Sequence, residues 1–551
     1  METPVSPLSS LSGAWRTRSI LLAFLLAAVL APAACERLDT ENILILGNGA
    51  EPKDLDPHRI TGVPEFSIAR ALFEGLVELD PSTLEPAPGV AESWDTSPDG
   101  KVYTFHLRKN AKWSNGDPLT ARDFAYSWQR VLMPGLASRY AYLLYGIRNA
   151  KAFNEGALPD FSQVGVKVLN PQALEVTLEN PTPYFLLLLN TPCFMPVHRA
   201  TIERFGRMDD PDTRWIWAGN LVGNGPFALE RWEPDRLLRA ARNPHYWDAA
   251  SVRLNGIHFL PVDSAQTEER MFRTGQVHKT SSLLPSKIAT WRARKDGTLR
   301  IEPYLGTYYL KVNVTRPPLN DTRVRLALAM AIDRESICRD VLKGGQQPAM
   351  NLTPPGLGGY TARAGIPYDV EKARKILAEA GYPDGRGFPA IEYMYNTQEQ
   401  HRVVAEAVQD MWKNALNIRV TLVNHDWKVY QERLQGLDYC IARGVWIGDY
   451  LDPTTFLDCM RSNSGNNNTG FASAEYEALL DEAARTGDAA KRLELLRRAE
   501  AILMKEAPVM PIYNYSSVYL MRPEVKGWEP NILQYVSYKR LYLEKEPDKR
   551  R

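Results

Sequence analysis

Between Val102 and Leu107 the chain alternates, with Tyr103, Phe105 and Leu107 falling on one side, as a half-buried β-strand requires. Leu174, Val176 and Leu178 repeat this period of two, and the apolar run from Asn42 to Leu46 reads as a further strand. Elsewhere the period lengthens to that of a helix. Asp321 is placed to cap a helix over residues 323–332, and Asp369 to cap one that reaches Ala380 before Gly381 and Pro383 stop it. Asp488 is placed to cap another from about Ala489 to Lys505. In each case a carboxylate precedes a first turn whose amide hydrogens have no partner within the helix. Strands and helices are interspersed along the chain, which places the fold in the α/β or α+β class.

A chain of 551 residues is too long for one ordinary core, so two or three domains are expected. Its 44% hydrophobic and 24% charged residues make an ordinary globular mix. A formal net charge of +1 leaves no basic surplus for a nucleic acid. The 13 Trp and 25 Tyr supply amphipathic rings of the kind that line cavities for polar ligands. At the N-terminus, Arg16 and Arg18 precede an apolar stretch, residues 20–30, that is too short to span a bilayer comfortably. Ala31, Pro32, Ala33 and Ala34 then lead to Cys35. This is an export signal over residues 1–34. A cysteine directly after small residues looks like a lipoprotein cleavage site, with Cys35 lipidated as the first mature residue. Cleavage near Ala33-Ala34 without lipid is the alternative. No second apolar run of membrane length follows, so the expected product is a periplasmic protein whose membrane contact is a lipid at Cys35.

The remaining cysteines, Cys193, Cys338, Cys440 and Cys459, show no C-x-x-C metal spacing. In an exported chain Cys440 and Cys459 form a possible disulfide; four free core thiols are the alternative. No H-E-x-x-H, G-x-S-x-G, phosphate loop or clean G-x-G-x-x-G occurs. No metal or cofactor is therefore expected, and a binding role is favoured over catalysis. A catalytic triad is recognised by geometry rather than sequence, so an exported hydrolase stands as the alternative of a different class.

Several stretches, in this order, resemble the oligopeptide-binding proteins of ABC importers, a family of extracytoplasmic solute-binding proteins. They are Leu55-Asp56-Pro57-His58, Gly62-Val63-Pro64-Glu65, Leu72-Phe73-Glu74-Gly75-Leu76 and Lys112-Trp113-Ser114-Asn115-Gly116-Asp117-Pro118. Asp123-Phe124-Ala125-Tyr126-Ser127-Trp128, Asn224-Gly225-Pro226-Phe227 and Pro317-Pro318-Leu319-Asn320-Asp321 follow, then Ala442-Arg443-Gly444-Val445-Trp446-Ile447-Gly448-Asp449-Tyr450. The resemblance implies an α/β, two-lobed, periplasmic-binding-protein-like fold with a third, inserted domain and a ligand cleft between the lobes. It maps lobe I to residues 36–73, 200–305 and 518–551, the inserted domain II to 74–199, and lobe III to 306–517. It also implies a monomer that takes up short peptides by hinge closure and delivers them to the membrane subunits of an ABC permease, with ATP hydrolysed on other chains. A murein-peptide or other small-solute binder on the same scaffold is the nearest alternative.

The resemblance further assigns site residues. Asp449 falls where the family holds the peptide's α-ammonium, although an aspartate shortly before Pro453 also suits a turn or helix cap. Arg443 and His401 match residues that meet the peptide carboxylate, and a planar guanidinium fork suits that task. Trp427 and Trp446 match pocket walls, and Val63, Tyr145, Tyr304, Tyr309 and Tyr515 match positions near the ligand. Backbone groups from Gly444 to Ile447 would pair with an extended ligand by strand addition. The chain departs from many peptide binders at Thr61, where they carry Glu, and at Leu342, with Lys343 displaced by one from a basic position.

Overall fold

The computed structural model describes residues 42–211 and 214–544. The export signal 1–34 and Cys35 lie outside the described residues, as do the outermost parts of the lobe I segments. Three main sheets organise the chain. In the first, Ile43–Gly47 pairs in parallel with Gly256–Leu260, followed by Leu237–Arg242 and Phe227–Glu233 antiparallel. The second is antiparallel, in the order Ala91–Thr96, Val102–Leu107, Ala173–Thr177, Val166–Asn170. The third has six strands, in the order Gln347–Pro348, Val509–Leu520, Leu299–Val312, Ile441–Ile447, Ile391–Asn396, Val420–His425. Each sheet has its own core, around Phe227, Ile257 and Phe259 in the first, Phe105, Trp113 and Trp128 in the second, and Leu310, Tyr393 and Trp412 in the third. The architecture is α/β and two-lobed, with an inserted domain and a cleft between the lobes.

The alternating segment forms the strand Val102–Leu107 with Tyr103, Phe105 and Leu107 buried. The first strand starts at Ile43 because Asn42 sits in the left-handed region, at φ 61°. The three capping aspartates accept as expected: Asp321 from Arg323 N, Asp369 from Lys372 N and Asp488 from Lys491 N. The first of these helices stops at Met330, short of Ile332, and Asp333 then caps a new turn by accepting from Ser336 N. Cys440 and Cys459 do not pair; they are free, as are Cys193 and Cys338, and Cys440 is only partly buried.

Two buried arginines of the scaffold are paired with aspartates. Arg130, on the helix Ala121–Leu132, is fully buried and grips both oxygens of Asp56 at 3.0 and 2.6 Å while donating to Met208 O at 2.6 Å. Arg492 holds Asp452 with two 2.8 Å bonds. Its guanidinium also lies 5.1 Å from the centre of the Tyr184 ring, and Tyr184 stacks on Tyr450 at 5.2 Å. Tyr450 follows the strand Ile441–Ile447 yet packs into the core of the second sheet, so this segment joins two parts of the molecule. The strands Leu299–Val312 and Val509–Leu520 join parts as well: Leu310 and Tyr513 lie in the six-stranded core, while Tyr519 and Leu520 lie in cores of the other lobe.

Candidate functional site in the interlobe cleft

The strand Ile441–Ile447 and the residues directly after it supply the centre of the site. Gly448 N donates to Leu305 O and Asn313 N donates to Cys440 O, so the residues at 442, 444 and 446 direct their backbone groups toward Leu299–Val312. In an antiparallel ladder bonding direction alternates. Arg443, Val445 and Ile447 therefore point their N–H and C=O groups along the opposite edge. The strand Ile391–Asn396 covers that edge only at Ile441 and Ala442. Tyr430 O–H takes the carbonyl of Arg443, and the edge beyond it is open to strand addition. Gly444 is required here: a Cβ would come within 2.5 Å of the Tyr309 ring opposite.

Arg443 is buried, and no carboxylate lies at ion-pair distance from it among the described residues. Its Nη2 donates to Tyr515 O–H at 3.4 Å, its guanidinium lies 5.6 Å from the centre of the Tyr308 ring, and its Nε has no partner. Tyr308, Tyr513 and Tyr515 form a cluster, with ring centres 4.8 Å apart for Tyr308–Tyr513 and 5.2 Å for Tyr513–Tyr515. Tyr304 meets Tyr515 at 6.4 Å. His401 lies in the first turn of the helix Glu399–Leu416, 5.7 Å from Tyr308, buried and with Nδ1 unpartnered. Burial and the adjacent Arg443 charge hold its pKa well below the ordinary value, so the ring is neutral.

Asp449 stands at the other end. Its backbone N–H donates to Thr455 Oγ1 at 3.0 Å, which fixes the turn. Oδ1 accepts a 3.5 Å bond from Tyr140 O–H, and the water-shielded Oδ2 accepts none. Burial pushes the carboxyl up to about 7, although Arg70 pulls it down. Trp446, between the two charged ends, has an indole Nε1 that is also buried and unpartnered. Unpaired buried polar atoms are costly and uncommon in a native protein. Here four of them, on His401, Arg443, Trp446 and Asp449, belong to residues that the sequence had singled out.

Other expected residues are placed as follows. Val63 begins the helix Val63–Leu72 and is 52% exposed. Trp427 is 44% exposed and stacks on Tyr430 at 5.8 Å. Tyr309 is buried against Gly444. The Tyr145 hydroxyl is not brought to the group; it donates to Asn154 Oδ1 at 2.7 Å, and Tyr140 is the tyrosine that reaches Asp449. Lys343 is exposed and Leu342 is fully buried. Sequence reasoning missed Tyr140 and Arg70. Arg70 left a signal, since Val63, Phe66 and Arg70 follow the i, i+3, i+7 spacing of one helix face. Phe66 on that face packs against Tyr140 at 6.0 Å.

Two lobes meeting over shielded, unsatisfied charges of both signs define a solute-binding protein of the periplasmic-binding-protein-like class. Residues 85–468 match the model of the bacterial extracellular solute-binding proteins, family 5. The chain belongs to that family. It is 39% identical over 529 residues to the periplasmic oligopeptide-binding protein OppA of Escherichia coli, a match covering 93% of this chain and 95% of the relative. Among solved structures, the Haemophilus influenzae OppA complex with the peptide RPPGFSPFR aligns at TM-score 0.83 and 34% identity, covering 92% of this chain and 99% of that one. The Escherichia coli murein tripeptide binding protein MppA aligns at TM-score 0.85 and 35% identity, covering 91% and 98%. An MppA structure in an unliganded open form, with the same identity and 91% and 97% coverage, aligns at only 0.69. At matched sequence identity that drop reflects the arrangement of the lobes, so the lobes here stand away from the open arrangement.

Proposed function

We propose that this protein is the extracytoplasmic substrate-binding subunit of a peptide ABC importer, which captures short oligopeptides by closure of its lobes and passes them to a permease. One observation carries the reading. A buried carboxylate and a buried guanidinium, neither at ion-pair distance from an opposite charge, flank an open strand edge. Those are the complements of a peptide's ammonium, carboxylate and backbone. Asp449 takes the ammonium, Arg443 and His401 take the carboxylate, and Val445 and Ile447 pair with the main chain. Tyr304, Tyr309, Trp427, Trp446, Tyr515 and Val63 are assigned to the walls. Water around the ligand side chains would give breadth of sequence. The names of the relatives, which include oligopeptide binders, support this reading.

Several finer points belong to the same proposal. The chain acts without catalysis and as a monomer. The lobes comprise residues 36–73 with 200–305 and 518–551, and 306–517, with 74–199 inserted. The protein works in the periplasm, tethered by lipid at Cys35; among the described residues no helix is long and apolar enough to cross a membrane. Calorimetry with tri- and tetrapeptides carrying free or acetylated N-termini tests the central claim. Free peptides should bind and acetylated ones should lose most of their affinity. Equal binding of both would remove Asp449 as the ammonium site. The alignment with a murein tripeptide binder favours cell-wall peptides as a second ligand class, which mass spectrometry of co-purified ligand would reveal.

A further inference from the structure

Three cations, Arg443 and Lys311 buried and Arg70 partly so, border the site without a carboxylate at ion-pair distance. Arg443 has been described. Arg70, in the last turn of Val63–Leu72, has an unpartnered Nε, and its guanidinium lies 5.4 Å from the centre of the Tyr535 ring. Asp449 is the carboxylate whose charge it feels most, at a separation beyond an ion pair, while Glu74 and Glu78, which line a small cavity with it, are engaged by Lys539. Lys311 is 8% exposed and lies on the strand beside Gly444, where a Cβ at Gly444 would come 3.0 Å from Lys311 Cγ. Its Nζ donates only to the neutral oxygens Asn466 O at 3.1 Å and Asn468 Oδ1 at 3.0 Å. Tyr304 links the two ends: it lies near both Arg70 and Asp449, and its ring meets Tyr515, which accepts from Arg443.

These charges do not balance against a plain zwitterion. An ammonium at Asp449 and a carboxylate at Arg443 leave Arg70 and Lys311 without an anion. Lys311 has a way out, because burial and the Arg443 charge bring its pKa down to about 8. Arg70 has none, since a guanidinium stays protonated, and unlike the buried Arg334, whose guanidinium is satisfied by the carbonyls of Pro511, Ile332 and Ala329, it has an Nε with no partner. The site is therefore short of at least one negative charge when a neutral peptide fills it.

We propose that the ligand's own side chains supply this charge, so that the preferred substrates are short acidic peptides carrying a side-chain carboxylate aimed at Arg70 or Lys311. The inference rests on the peptide reading above. It is tested by calorimetry with the tripeptides X-Ala-Ala and Ala-X-Ala, where X is Glu, Gln or Lys. The Glu peptide should bind at least about tenfold tighter than the Gln peptide at one of the two positions, and the Lys peptide should be the weakest. Arg70→Gln or Lys311→Gln should shrink the Glu-to-Gln ratio at least about threefold, with a cooperative thermal transition showing that the variant is folded. Binding of the Gln peptide with no Glu preference, or with Lys the tightest, would overturn the acidic preference and leave the peptide reading in place. Failure of all three peptides to bind would overturn the peptide reading and this inference with it.

Discussion

Arg130 and Arg443 are both buried arginines, and they are treated in opposite ways. Arg130 has a bidentate aspartate, a carbonyl and the Nδ1 of His58 at 3.0 Å around it. Against the cost of burial, Arg130 holds Asp56 below the ordinary carboxylate range. Arg443 has aromatic rings, one long bond to a tyrosine and an unpartnered Nε. Asp449 mirrors the contrast with Asp56, since its carboxyl rises to about 7. Where charge holds the scaffold together, its partner is built into the chain. Where charge is for recognition, the partner is left out and must arrive with the ligand. The cost of burying an unpaired charge in the empty site is thus part of what a ligand relieves.

The comparison can be broken first at the scaffold pair. Arg130→Met should cost about 3–5 kcal/mol of stability by stranding Asp56, seen as a large fall in the denaturant midpoint. Asp449→Asn should do the reverse: thermal stability of the empty protein holds or rises, while peptide affinity falls by about 2–5 kcal/mol in calorimetry. Proton exchange sharpens the contrast. The Asp449 pKa in the folded protein lies above its ordinary 3.8, so its contribution to ligand-free stability is complete below that value and is lost as the pH rises through about 7. Binding an ammonium needs the ionised form. Affinity should therefore increase between about pH 6 and pH 8, by up to about tenfold per unit below the pKa, with protons released in calorimetry across buffers of different ionisation enthalpy. The Asp449→Asn variant should lose that release. The smallest effect is expected at the partly exposed Trp427, where alanine should change thermal stability by no more than about 0.5 kcal/mol.

Much of this was legible in the sequence, because much of it is local. Strand alternation and aspartate caps depend on neighbours within one turn or one pleat, and they reappear with shifts of a residue or two. The helix from Asp321 ended early because Asp333 begins a competing turn, a choice that apolar periodicity does not register. The residues at 401, 443, 446 and 449 were reached through resemblance, and their unsatisfied atoms emerged only once the lobes were assembled. Tyr140 could not be read from the chain, since its contact with Asp449 joins positions 309 residues apart. Arg70 was readable from its spacing to Val63, but its lack of a carboxylate partner is a property of the whole assembly.

The ladder joining Leu299–Val312 to Val509–Leu520 is interrupted between Pro303 and Thr307, where Tyr304 and Tyr515 project. A ribbon creased in advance bends at the crease without losing rungs along the rest of its length. Were the halves to swing apart at that crease, whatever lay against the two rings would bear on the angle between them. Such a joint would carry its own sensor.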